Sequence, residues 1–151
     1  MNILAKVFVL TSAVMCSNFV YAEKTKKELA VNKNHDAINQ INAESLKAEM
    51  ESNKNLVVIN VLAKEYFDDA HITGSINKSL DNLAELQTEY SENTPIVVYC
   101  ASYQCPASRD AYKQLVEMGF TNIRAYEGGI KEWIAKGFAY QGPAKKEYLR
   151  K

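Results

Sequence analysis

Ile96-Val97-Val98-Tyr99-Cys100-Ala101-Ser102-Tyr103-Gln104-Cys105-Pro106 is the stretch on which the fold turns. Its first four residues are apolar or aromatic without alternation, three of them β-branched, as in a strand covered on both faces. A short polar loop follows and ends at a proline, a residue tolerated in the first turn of a helix, where its missing N–H has no partner to lose. Ala111, Leu115 and Met118 keep the helical period, and Gly119 stands where a helix C′ residue is expected. Strand, loop and helix in that order are half of a parallel crossover.

The same alternation extends outward. Leu56 to Val61 is a second, almost continuously apolar strand, preceded by a helix that Asn42 can cap and that carries Leu46 and Met50. Ala63 to Ala70 reads as a short helix, His71 to Asn77 as a Gly-centred turn with a brief strand, and Leu80 to Tyr90 as a helix through Leu83 and Leu86, stopped by Asn93-Thr94-Pro95. Ile123 to Tyr126 is a third strand, Gly128-Gly129 a turn, and Ile130 to Lys136 a helix ended by Gly137. The fold class expected is α/β with a mainly parallel central sheet.

Composition narrows the function classes. In 151 residues, 47% are hydrophobic and 24% charged, the profile of one ordinary globular domain. Eighteen basic residues balance 18 acidic ones at a pI near 6.7. That removes the basic surface a nucleic-acid partner requires. Three cysteines and two histidines argue against a disulfide-stapled scaffold and against a His-rich metal site, so neither metal nor cofactor is expected.

Residues 1–22 read as a signal peptide. Lys6 is the positive n-region, Val7 to Val20 an apolar stretch interrupted by Thr11, Ser12, Ser17 and Asn18, and Val20-Tyr21-Ala22 a cleavage site. A membrane anchor wants roughly 20 continuous apolar residues, so an uncleaved anchor is the weaker alternative. Cleavage after Ala22 takes Cys16 with the peptide and leaves one more acidic residue than basic. It also places Cys100 and Cys105 in an exported, oxidising compartment, the periplasm if the source is bacterial, with no membrane attachment of the mature chain. Residues 23–38 form a charged linker, 39–142 the domain, and 143–151 a basic, frayed tail.

In an open α/β sheet the ligand site lies beyond the carboxyl ends of the strands, and Cys100 occupies that address. A helix N-terminus after the loop favours thiolate, so a thiol pKa below the free-cysteine value is expected. The alternative is a core thiol that merely continues the strand. Cys105, with four residues between it and Cys100, is a candidate resolving thiol, able to attack a persulfide or mixed disulfide on Cys100. Alternatively, it only packs at the helix start.

His71-Ile72-x-Gly74-Ser75-Ile76-Asn77, the strand-borne Cys100 with its loop and helix, Met118-Gly119-Phe120-Thr121-Asn122-Ile123, and Gly128-Gly129-Ile130-x-x-Trp133-x-x-x-Gly137 follow one another as in the rhodanese-like (sulfurtransferase) domain, which the chain resembles from about Asn39 to Gly142. The resemblance implies a mainly parallel sheet with helices on both faces. It implies too that Cys100 takes a sulfane sulfur from a small donor such as thiosulfate, holds it as a persulfide cradled by the amides of Ala101, Ser102, Tyr103, Gln104 and Cys105, and passes it to a thiol acceptor, small or carried on a protein.

The departures are specific. Where active relatives commonly have Arg or Lys five residues after the cysteine and Gly three after it, this chain has Cys105 and Tyr103. An anionic donor must then rely on backbone amides and on Arg109, one turn into the helix. Asn60-Val61-Leu62 replaces the family's Asp-Val-Arg. Pro106 stands where phosphatases of this fold need an arginine, which argues against phosphate-ester chemistry. Three function classes are carried forward: a sulfurtransferase, a thiol-disulfide or persulfide redox protein using Cys100 and Cys105, and a non-catalytic binding module. His71 is read as a structural turn residue, Glu127 as a solvated carboxylate and Trp133 as a core anchor.

Overall fold

The computed structural model describes residues 37–149. The expected signal peptide, most of the linker and the last two residues lie outside this range. Four parallel strands, β1 (Val57–Asn60), β3 (Ile76–Asn77), β4 (Ile96–Tyr99) and β5 (Ile123–Tyr126), form a sheet in the order β3-β1-β4-β5. In register, Ile59 faces Ile76 and Val98, and Val98 faces Ala125. β2 (His71–Ile72) pairs antiparallel with β6 (Tyr140–Gln141), a strand the sequence pattern does not announce.

The sheet is covered on both faces, which is why its central strands β1 and β4 read as nearly continuous apolar runs. Ile59, Val61, Ile96, Val98, Cys100, Ile123 and Ala125 face α4 (Ala107–Glu117) and the segment carrying Leu83 and Leu86. Val58, Val97, Tyr99 and Tyr126 face α1 (Ala43–Ser52) and α5 (Gly129–Ala135), with Trp133 at its edge. Asn42 caps α1 as expected, its Oδ1 accepting the Ser45 N–H at 2.8 Å.

Two expectations are corrected. Leu80 to Tyr90 is not one helix: it is a 3-10 segment, Leu80–Glu85, running into the four-residue α3' turn Leu86–Glu89, short enough that Leu83 and Leu86 both still reach the core. The short helix expected between Ala63 and Ala70 is present as α2 (Lys64–Asp69), without a side-chain cap. The tail is docked rather than frayed through Leu149. Asp69, at the end of α2, accepts the Lys145 and Lys146 amides on its two carboxylate oxygens, both at 3.0 Å, while its carbonyl accepts the Ala144 amide at 2.8 Å. Gly142 passes so close (φ +106) that a Cβ there would lie 2.4 Å from the Asp69 carbonyl oxygen.

Candidate functional site

Cys100 follows β4 directly and is fully buried. The loop that leaves it is held from two sides. From α5, the Ile130 and Lys131 amides donate to the carbonyls of Cys100 and Ala101, each at 3.0 Å. Gly129 makes this approach possible: at φ +63, a Cβ on it would sit 2.5 Å from the Ala101 carbonyl carbon and 2.6 Å from the Ser102 nitrogen. From within, the Cys105 amide closes a turn on the Ser102 carbonyl at 2.9 Å, and the Ser102 hydroxyl donates to Gln104 Oε1 at 2.9 Å.

The sulfur sits at the start of α4. Pro106 precedes that helix and no side chain caps it, so the amides of Ala107 and Ser108 are open to another partner. Cys100 Sγ lies 3.4 Å from Ser108 Oγ and 3.3 Å from the Cys105 carbonyl oxygen. The Ser108 hydroxyl and amide both favour thiolate, but burial outweighs them and, with the Cys105 side chain close by, pushes the Cys100 thiol up to about 11. The expected depression of this pKa is therefore reversed. The helix N-terminus is where the sequence puts it; removal of water at the end of a covered strand is the larger effect, and carbonyl oxygens of Cys105 and Ser102 share the sulfur's surroundings.

The remaining expected site residues divide. Cys105 is half-buried, and both thiols are unbridged. Tyr103 is exposed, its hydroxyl donating to Glu132 Oε2 at 3.1 Å. Arg109 turns to the loop's outer side: its Nη2 donates to the Tyr103 carbonyl at 3.3 Å and its Nε lies 3.4 Å from Glu127 Oε1. Glu127 thus braces Arg109 and also accepts from Gln40 at 3.0 Å, rather than standing solvated. His71 stacks on Phe67 and hydrogen-bonds the Phe67 carbonyl and the Gln141 side chain, a structural role. Asn60, in place of the family's acid, is fully buried and accepts the Leu62 amide at 2.9 Å, while its Nδ2 has no hydrogen-bond partner among the described residues.

An open cleft of about 650 Å³ lies over the loop, lined by Leu62, Tyr66, Ala101, Cys105 and, from the tail, Lys146, Glu147 and Tyr148. Cys105 lines it; Cys100 does not. The Lys146 ammonium rests 4.4 Å from the Tyr66 ring centre, and the Tyr66 and Tyr148 rings meet at 5.9 Å. Burial pushes the Tyr148 phenol up to about 12. Ser108 and the tail residues escaped the sequence reading. Ser108 is legible in principle, being two residues into a helix that starts at a cysteine loop; nothing local marks the tail. Among the described residues no cluster of His, Cys, Asp and Glu could hold a metal ion, and no helix is long and apolar enough to cross a membrane.

Comparison with known proteins agrees with the architecture. The family model for the rhodanese-like domain matches residues 42–136. The chain is 29% identical over 76 residues to the thiosulfate sulfurtransferase GlpE of Shewanella oneidensis, covering 50% of this chain and 73% of that one. A rhodanese-related protein from Thermoplasma volcanium is 27% identical with a TM-score of 0.58, over 68% of this chain and 97% of its own. The BH2092 protein of Bacillus halodurans, 20% identical over 85% of this chain and 88% of its own, shares the fold at a TM-score of 0.64.

Proposed function

Because the chain belongs to the rhodanese-like domain family, we propose that it is a sulfurtransferase that carries a sulfane sulfur as a persulfide on Cys100. The observation that supports this most directly is the placing of Cys100 Sγ, at the carboxyl end of β4 and against the uncapped first turn of α4, within reach of the Ser108 hydroxyl and amide. That environment can receive the negative outer sulfur of a persulfide, which is more acidic than the parent thiol.

In the overall reaction a sulfur–sulfur bond of the donor breaks and its leaving group departs with the electron pair. With thiosulfate the leaving group is sulfite. The acceptor thiol later attacks the outer sulfur and releases the protein thiol, so no electrons are gained or lost by the protein. The GlpE relatives carry the name thiosulfate sulfurtransferase, which supports the reaction class. An exported setting belongs to the proposal: N-terminal sequencing of the mature protein is expected to return Glu23, and Met1 in a membrane pellet would overturn it. Mass spectrometry after treatment with thiosulfate or an organic persulfide is the test of chemistry, with one added sulfur mapping to Cys100 in wild type and none at position 100 in Cys100→Ser.

A second reading, a dithiol redox protein, draws on the closeness of two unbridged cysteines, Cys100 Sγ lying 3.3 Å from the Cys105 carbonyl oxygen. It requires a Cys100–Cys105 disulfide with a defined potential, measurable by equilibration in glutathione buffers. A wild-type protein that bridges on oxidation and takes up no sulfur would favour it.

A further inference from the structure

We infer that Cys105 is the thiol that meets the sulfur donor, and that it hands the sulfur inward to Cys100. This rests on the sulfurtransferase reading and reverses the order of the two cysteines within it. Three observations carry it. The cleft over the loop is lined by Cys105 and not by Cys100, which has no exposed surface. The two cysteines are neighbours around one loop, Cys100 Sγ lying 3.3 Å from the Cys105 carbonyl oxygen, so the path for sulfur between them is short. And the backbone between them is fixed by the turn at Ser102–Cys105 and the clamp from α5, so Cys100 is kept below the loop rather than swung out to solvent.

The relay balances without an outside oxidant or reductant. Cys105 attacks the outer sulfur of an organic persulfide; the donor's sulfur–sulfur bond breaks and its thiol leaves with the electron pair and a proton. Cys100 then attacks the outer sulfur of the Cys105 persulfide. A new bond forms to Cys100, the bond to Cys105 breaks, and the proton given up by the Cys100 thiol goes to the departing Cys105 sulfur. The difficulty of ionising Cys100 then matters less than it would for direct attack, because its proton acceptor is built in. The result is a persulfide stored away from water, facing the Ser108 hydroxyl and amide.

The donor suited to the cleft is an organic persulfide rather than a bare inorganic ion. The walls are largely carbon, from Leu62, Tyr66 and Tyr148, with the Lys146 ammonium half-buried among them and Glu147 exposed beside it. Clefts of a few hundred cubic ångströms admit small organic molecules.

The experiment loads wild type, Cys100→Ser and Cys105→Ser with glutathione persulfide or thiosulfate and maps the added sulfur against time. Expected are persulfide trapped on Cys105 in Cys100→Ser at close to the wild-type initial rate, and loading of Cys100 at least about tenfold slower in Cys105→Ser, with glutathione persulfide outpacing thiosulfate in wild type. Loading of Cys100 at an unchanged rate in Cys105→Ser overturns the relay and leaves the sulfurtransferase reading standing. No sulfur on either cysteine of wild type overturns that reading itself. A pulse of iodoacetamide on the unaltered protein gives an independent measure should a variant fold poorly. Cys105 is expected to be modified at least about tenfold before Cys100, and the opposite order would overturn the entry role.

Discussion

Ser108 holds the balance at the sulfur. Its hydroxyl and amide oppose the burial that keeps Cys100 protonated, so Ser108→Ala is expected to raise the Cys100 pKa further and slow its alkylation at neutral pH several-fold, measured in a Cys105→Ser background. A second expectation follows from the same group. A thiol harder to ionise in the folded chain than in the unfolded one contributes stability that is complete below the unfolded value and is lost as pH climbs toward about 11. Relative to Cys100→Ala, wild type should lose on the order of 2–3 kcal/mol between about pH 9 and 11, at about 1.4 kcal/mol per pH unit, read from denaturant unfolding at each pH. The position of Cys100 was legible from strand, loop and proline. Its protonation was not, because the apolar cluster in which it is buried draws Ile59, Val61, Leu83 and Leu86 from distant parts of the chain.

Two short elements hold their places through single residues. Gly129 lets α5 start against the loop, and Gly129→Ala would drive a Cβ into the Ala101 and Ser102 backbone at a positive φ; a loss of at least about 2 kcal/mol in thermal or urea unfolding is expected, together with faster alkylation of Cys100 as the loop lifts. The tail depends on Asp69. Hydrogen bonds to a charged group contribute about 1.5–3 kcal/mol, so Asp69→Ala should release residues 143–149 while leaving the sheet intact, seen as rapid trypsin cleavage at Lys145 and Lys146 without loss of the main unfolding transition. Helices with an apolar stripe, α1 and α4, were readable from period and cap. The tail was not: its docking runs from backbone amides to a carboxylate that sequence shows only as one member of Asp68-Asp69. β6, with both residues exposed, carries no apolar alternation to read.

At the scale of the whole molecule, the alternation of strand and helix gave the layered architecture because both sheet faces are buried and both therefore leave an apolar record. The ends of the domain leave none. Family resemblance runs over 42–136, yet the folded unit reaches beyond it on either side. Gln40 bridges Ala125 in parallel, with the Ile41 amide donating to the Ala125 carbonyl at 3.1 Å and the Ala125 amide to the Asn39 carbonyl at 2.8 Å. That three-residue segment occupies the outer side of β5, the last strand of the sheet. A chain shortened to 42–136 would leave those β5 groups unsatisfied, and an unpaired strand edge is a template for another chain. Such a fragment is expected to self-associate in sedimentation velocity as its concentration rises, whereas one beginning at Ala37 and ending at Lys151 stays at a single sedimentation coefficient. Asn39 to Ile41, which touch nothing catalytic, would then be what keeps one copy of the sheet from recruiting the next.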